Sequence, residues 1–409
     1  QCNSKANESA EVVPIKIAVP EVLLKKLDLA KIPMSLEDSN NFEYGFNPNY
    51  LKEVIKYWRQ KYDWRKWERV LNQWPQFTTS IEGLKIHFIH ARPPMGKYEK
   101  VYPLMLLHGW PGNVFEFYKL IPLLIDPAQH LKASSKFAFE VIAPSIPGFG
   151  WSSPPMKKGF NQWAAARVFR KLMLRLGYQK FYLQGGDWGG VVARLMAIHY
   201  PENLFGLHLN YLQVPPTSNI KAGIMTVLGY ILPPSYLFKH PGSFLFDLLL
   251  QETGYFHIQA TKPDTVGIGL TDSPVGLAAY ILEKFSTGTA RENRLLPDGG
   301  LTRKFTLDEL LTVVTIYWMN GNIAYSQRFY KEFALSERIF ELDRIYVHTP
   351  TAFAGFPNEM LYGAQPSELL GTVVNLTKYT EMMRGGHFAA LEEPKLLALD
   401  LFEFVATLL

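Results

Sequence analysis

Asp187 stands among glycines in Gln184-Gly185-Gly186-Asp187-Trp188-Gly189-Gly190, directly after the apolar run 181–183 and directly before a helical stretch. One polar residue flanked by glycines at a strand-to-helix turn matches the elbow pattern G-x-S-x-G, with Asp in place of Ser. Larger neighbours would clash on so tight a turn. The helix start that follows would present N–H groups and a positive dipole end to the carboxylate, keeping it ionised and able to attack carbon. An ordinary Asp-Gly turn is the plain alternative.

Such a nucleophile needs a charge-stabilising partner and a base. Leu107-His108-Gly109-Trp110-Pro111-Gly112, after another buried run, offers the first. An N–H from a loop of this kind joins the N–H after the nucleophile in an oxyanion hole. The donors here would be the backbone N–H groups of Trp110 and Trp188, each typically worth ~3–4 kcal/mol. His108 precedes the nucleophile and is expected to be structural. Arg384-Gly385-Gly386-His387-Phe388 offers the base, in the chain order nucleophile, acid, histidine. Glu359 is the candidate acid between them. Glu341, Asp343 and Glu381 are rivals that spacing leaves open, since either carboxylate type can hold the imidazole tautomer.

A carboxylate attacking an acyl carbon would give an anhydride, which argues against esterase or lipase chemistry. At saturated carbon it gives an alkyl-enzyme ester, which water activated by His387 can hydrolyse. Epoxides and alkyl halides both fit. An epoxide leaves as an alkoxide that needs a proton donor, for which tyrosine serves; a halide needs ring N–H donors, usually tryptophan.

The elements that must position these residues alternate. Apolar strand-like runs fall at 104–107, 137–143, 181–183, 205–209, 345–347 and 373–376, with helical stretches at 161–176 and 191–200. Short buried strands alternating with helices argue for a parallel sheet covered on both faces. Between about 212 and 333 the pattern is helical, for example at 273–285 and 307–318, so an inserted helical lid is expected. The first ninety or so residues read as helices followed by a hairpin. Asn47-Pro48 starts one helix with Leu51, Val54, Ile55 and Trp58 on one face, and Asp63 caps another that Pro75 stops. The expected division is an N-terminal extension at 1–95, a core at 96–212 and 336–409, and a lid at 213–335.

The chain has 409 residues, 47% hydrophobic and 19% charged, which excludes a disordered protein. Its one cysteine, Cys2, excludes a disulfide framework and cysteine-built metal sites. A net charge of +5, from 42 basic against 37 acidic residues, is too diffuse to indicate nucleic acid. No run reaches the ~18 apolar residues of a membrane span. The nearest, 223–238, is broken by Pro233 and Pro234.

Taken together, residues 108–112, 185–189 and 384–388, with the longer stretches 261–267, 272–287 and 326–332, are similar to the microsomal epoxide hydrolase family, insect juvenile hormone epoxide hydrolases included. They look most like the vertebrate microsomal type, from about Ile15 to the C-terminus. The resemblance implies an α/β-hydrolase fold, a mostly parallel sheet flanked by helices, with a helical lid and an N-terminal meander. It places the nucleophile on Asp187, the base on His387 and the acid on Glu359. Tyr255 and Tyr330 become the lid's proton donors, lining the substrate pocket with Trp110 and Trp188. No cofactor or metal is implied, and the partners are water and a small lipophilic epoxide, xenobiotic or lipid-derived.

The family's microsomal members begin with an anchoring helix. This chain begins at Gln1 without one, so a truncated or processed N-terminus is expected. The resemblance places the full-length protein at the endoplasmic reticulum membrane, in detoxification, aromatic hydrocarbon catabolism or lipid metabolism, with the present chain soluble. A haloalkane dehalogenase using Trp110 and Trp188 as halide donors is the competing enzyme. A non-catalytic binder of hydrophobic ligands is the competing reading from another class.

Overall fold

Along one strand of the sheet, residues 100–107, neighbouring side chains enter two different cores. Leu104 and Leu106 pack with Leu120, Leu124, Leu401 and Phe404, while Met105 and Leu107 pack with Val168, Leu172, Val192 and Leu195. Burial on both faces is what turns an alternating pattern into an unbroken apolar run.

The computed structural model describes residues 10–18, 23–132, 135–231, 250–338, 343–359 and 365–409. Cys2, Glu341 and the end of the apolar run 223–238 lie outside them. The nine strands of its sheet are β1 (Val13–Ile15), β2 (Gln76–Ile81), β3 (Leu84–Ala91), β4 (Lys100–Leu107), β5 (Phe137–Pro144), β6 (Phe181–Gly185), β7 (Leu204–Leu209), β8 (Val347–Gly355) and β9 (Val374–Glu381). Their spatial order is β1-β2-β3-β5-β4-β6-β7-β8-β9. The first three strands join antiparallel, and every pairing from β5 through β9 is parallel. Helices Gln162–Arg175 and Asp187–His199 cover one face; Leu120–Ile125 and Pro394–Thr407 cover the other.

Local signals explain most boundaries. The Asn47 side chain accepts the N–H groups of Asn49 and Tyr50 and starts helix Pro48–Gln60. Asn161 accepts the Ala164 N–H at the start of Gln162–Arg175, and Gly177, at φ +91°, turns the chain out of it. Asp63 sits at the start of helix Trp64–Leu71 but makes no side-chain cap; its carboxylate lies 3.9 Å from Arg69 instead.

Two expected elements are displaced. The strand expected at 345–347 runs from Val347 to Gly355, through Pro350. The pairing with β9 shifts register between Val347 and Thr351, and that bulge takes the N–H-less proline out of the ladder. The helix expected at 191–200 begins at Asp187, its first turn disguised by Gly189 and Gly190.

Between β7 and β8 the described residues are helical: Ile220–Ile231, Gly254–Thr261, Pro263–Asp272, Pro274–Thr287, Leu307–Asn320 and Ile323–Ala334. Thr306 and Glu309 form a capping box at the start of Leu307–Asn320. Glu309 also accepts the Tyr118 hydroxyl and pairs with Lys119, tying these helices to the loop after β4. No single helix among the described residues is long and apolar enough to cross a membrane.

Candidate active site

Asp187 adopts φ +47°, a left-handed conformation rarely held by a non-glycine residue. Strain of this kind costs on the order of 1–3 kcal/mol and persists only where the surroundings impose it. Here they do. A β-carbon on Gly189 would lie 2.0 Å from the Leu107 carbonyl oxygen, and one on Gly185 would lie 2.6 Å from the Gly189 carbonyl. One on Gly186 would lie 2.5 Å from Asn210 Nδ2. The glycines let β6 turn into its helix against the end of β4, and that turn lifts Asp187 off the edge of the sheet.

The loop after β4 then meets the carboxylate. The Trp110 N–H donates to Asp187 Oδ1 at 2.7 Å. Gly109 is required for this approach, because a β-carbon there would sit 2.2 Å from the same oxygen. The Tyr317 hydroxyl, from helix Leu307–Asn320, donates to the Gly112 carbonyl at 2.8 Å and steadies the loop from the lid side. His108 is structural as expected. One ring nitrogen meets the Gly109 carbonyl at 3.1 Å, the other accepts the Ile146 N–H at 3.1 Å, and burial pushes its pKa down to about 4.

His387 faces the other carboxylate oxygen. Its Nε2 is 3.4 Å from Asp187 Oδ2, and its Nδ1 lies 2.8 and 2.9 Å from the two oxygens of Glu359. Burial opposes a charge on the ring, but the Glu359 and Asp187 carboxylates outweigh it and hold the pKa well above the usual histidine value. The loop carrying His387 is clamped by Glu392, which accepts the N–H groups of Gly386 and Phe388 at 3.0 and 2.9 Å. The His387 N–H itself donates to the Gly288 carbonyl at 2.9 Å.

Tyr255, on helix Gly254–Thr261, and Tyr330, on Ile323–Ala334, approach from the lid. Their ring centroids are 6.2 Å apart. Trp110 stacks on Tyr255 at 5.2 Å and 10°, and meets Tyr330 edge-on at 5.8 Å. Trp188 meets Tyr330 edge-on at 4.7 Å. Burial and the Asp187 charge push both hydroxyls well above the usual tyrosine value, with Tyr255 adding to the rise at Tyr330. Both therefore carry their protons throughout the neutral range.

Residues 12–117 match the family model described as Epoxide hydrolase N terminus, and residues 102–213 the model described as alpha/beta hydrolase fold. The chain is 50% identical to Epoxide hydrolase 1 of Sus scrofa, over 98% of this chain and 90% of that protein. The chain belongs to the epoxide hydrolase family. It is 44% identical to Juvenile hormone epoxide hydrolase 1 of Ctenocephalides felis, over 98% of this chain and 86% of that protein. Its fold matches the crystal structure of juvenile hormone epoxide hydrolase from the silkworm Bombyx mori with a TM-score of 0.91 at 38% identity, covering 99% of this chain and 96% of that one. Aspergillus niger epoxide hydrolase matches with a TM-score of 0.79 at 28% identity, covering 98% of each.

In this epoxide hydrolase the structure brings Asp187, His387, Glu359, Trp110, Trp188, Tyr255 and Tyr330 to the C-terminal ends of the parallel strands, under the lid. Two of the rival acids lie elsewhere. Asp343 is 3.8 Å from Arg194, and Glu381 is exposed at the end of β9. Three polar residues escaped the sequence reading. Glu116, Gln184 and Asn210 line one small cavity with Asp187 and His387. Gln184 had a signal, as an amide inside a buried strand; Glu116 had another, as an acid within the apolar run 114–117. Asn210 follows β7 and had none.

Proposed function

We propose that this epoxide hydrolase opens its substrate with Asp187 and releases a vicinal diol through His387. Covalent catalysis through an alkyl-enzyme ester is the general mechanism of the family; its assignment to these residues is supported by their geometry. The observation that carries it is the sorting of the Asp187 carboxylate. Oδ1 is taken by the Trp110 N–H, leaving Oδ2 to attack. Oδ2 would form the bond to an epoxide carbon while the C–O bond breaks and Tyr255 or Tyr330 protonates the alkoxide. Oδ1 then becomes the ester carbonyl oxygen and stays on its donor, where charge develops as water attacks. The Trp188 N–H, first in the chain after the nucleophile, is the second donor. His387 Nε2 takes the water proton, with Glu359 holding Nδ1–H and the positive ring.

The aromatic lining by Trp110, Trp188, Tyr255 and Tyr330 favours lipophilic, mono- or cis-disubstituted epoxides, xenobiotic or lipid-derived. We assign the protein to the endoplasmic reticulum membrane, where such compounds partition, with detoxification or lipid metabolism as its role. Single-turnover hydrolysis in oxygen-18 water tests the central step. Label is expected in the Asp187 carboxylate and not in the first diol; label in that diol would reject the covalent assignment. A panel of aromatic and juvenile-hormone-like epoxides tests the substrate class.

A further inference from the structure

The ester-forming half of the reaction accounts for Trp110 and the tyrosines, but the water that ends the cycle needs a seat of its own. A cavity of ≈ 20 Å³ lies beside the reacting pair, lined by the side chains of Asp187, His387, Glu116, Gln184 and Asn210. A buried water needs at least ~10–15 Å³ of such space and two to four polar partners. The site meets both conditions. Gln184 and Asn210 are already bonded to each other, Nε2 to Oδ1 at 2.8 Å, which fixes one polar wall. Glu116 and His387 line the same cavity.

Glu116 is the member without a role so far. It lies on the short helix Val114–Phe117, whose Asn113 cap accepts the Phe115 N–H. Its carboxyl is folded back onto the oxyanion loop, so that a β-carbon on Gly112 would fall 1.1 Å from Oε1. Neighbouring Val114, Phe115 and Phe117 are buried, whereas Glu116 keeps accessible surface and lines the cavity. Its carboxyl also accepts the Asn113 N–H, as a capping acid does, but it does so inside the cavity beside the nucleophile and the base. Burial and the Asp187 charge push its pKa up to about 8, against the opposing pull of His387 and the Asn113 N–H. At neutral pH it is therefore mostly a neutral acid, able to accept one hydrogen bond and donate another.

We propose that Glu116 seats the hydrolytic water, holding it between its carboxyl and His387 Nε2 for attack on the Asp187 ester carbonyl. In that step the water oxygen bonds to Asp187 Cγ and its proton passes to His387. The tetrahedral intermediate then expels the alkyl oxygen, which takes that proton back as the diol leaves, and the water's second proton passes from the Asp187 carboxyl to the tyrosine that had given up its own. Glu116 gains and loses nothing; it orients. The inference rests on Asp187 as nucleophile and His387 as base.

Rapid-quench mass measurement of the intact protein, with styrene oxide as substrate, follows formation and decay of the alkyl-enzyme separately. In Glu116→Leu, decay is expected to slow by about 100-fold, the usual cost of a misplaced reactant, with formation unchanged within about threefold. Glu116→Gln keeps the shape and a donor–acceptor pair and is expected to recover decay to within about fivefold of wild type. Should Glu116→Leu fail to fold, Glu116→Asp, which withdraws the carboxyl by one methylene, carries the same test. Unchanged decay, equal slowing of both steps, or equal loss in the Gln and Leu variants would overturn the proposal. Absence of any alkyl-enzyme in the wild type would overturn the Asp187 assignment and Glu116 with it. Normal formation with unaltered decay removes Glu116 alone.

Discussion

The Trp110 N–H donates to Asp187 Oδ1 at 2.7 Å, so the two oxygens of one carboxylate are made unequal before any substrate binds. One oxygen is held where negative charge will later develop; the other stays on the His387 side, 3.4 Å from Nε2. In the proposed mechanism this single backbone bond divides the two halves of the reaction between the two oxygens of one side chain.

Gly109→Ala tests that arrangement directly. The new β-carbon would lie 2.2 Å from Asp187 Oδ1, forcing the nucleophile off its donor. A 1 Å misplacement can cost on the order of 100-fold, so alkylation is expected to fall by at least that factor. Because the new β-carbon would also lie 2.4 Å from Asp187 Cβ, some loss of thermal stability is expected alongside, and alkylation is measured on folded protein. Alkylation at the wild-type rate would show that this contact is dispensable.

In the proposed mechanism the tyrosine pair shares the work of protonating the alkoxide. Tyr255→Phe or Tyr330→Phe alone leaves the other donor in place, and about tenfold slower alkylation is expected. The double variant leaves none, and general acid catalysis is worth roughly 10²–10⁴-fold. Stopped-flow quenching of tryptophan fluorescence, with Trp110 and Trp188 packed on these rings, can report the step. Full activity in the double variant would exclude both as acids.

The pH dependence of the two half-reactions should differ. In the resting enzyme Asp187 and Glu359 hold the His387 pKa up, but esterification neutralises Asp187 and removes part of that support. The base must be neutral to accept a proton. Decay of the alkyl-enzyme is therefore expected to speed up as pH rises through the titration of His387, which Glu359 still holds up, and then to level off. Glu359→Gln lowers the His387 pKa further, moving that limb to lower pH. It also removes the charge that stabilises the imidazolium, so plateau decay should fall on the order of 100-fold or more. A decay rate independent of pH in wild type would count against His387 as the base.

A second buried network, centred on Asp400, should govern acid stability. Asp400, on helix Pro394–Thr407, meets His208 Nε2 at 2.9 Å and accepts the Thr380 hydroxyl at 2.6 Å, with Lys378 beside it. Burial alone would raise its pKa, but these partners hold it well below the ordinary value of 3.8. A carboxylate so depressed stabilises the fold above its unfolded pKa, and that contribution is lost as pH falls through the folded value. Asp400→Asn is expected to cost about 3 kcal/mol at neutral pH, with the gap to wild type closing in acid below about pH 4. A pH-independent gap in urea titrations would contradict this.

Much of the site was legible because its geometry is local. Asp187 and its glycines form one tight turn, and steric crowding within a few residues dictates that pattern. His387 in its glycine-rich loop and the N–H of Trp110 are recognisable for the same reason. The alternation of strands and helices followed from burial on both faces, which leaves apolar runs wherever β4 or β6 passes through the core. Even the displaced elements failed locally, at Pro350 and at Gly189-Gly190, where one residue's chemistry contradicts the element that carries it.

What spacing could not supply is any choice among distant groups of the same type. Glu359, Asp343 and Glu381 are equivalent carboxylates along the chain. Their difference is a matter of packing, which sets Glu359 against His387 Nδ1, Asp343 near Arg194 and Glu381 in solvent. Tyr255 and Tyr330 could be drawn from 21 tyrosines only by family resemblance; the lid's folding is what puts them over Trp110 and beside each other. Glu116 had only the oddity of an acid in an apolar run. Its meeting with Asp187 and His387 spans the whole core, and such a meeting is decided by how the strands are ordered in the sheet rather than by the residues near it in the chain.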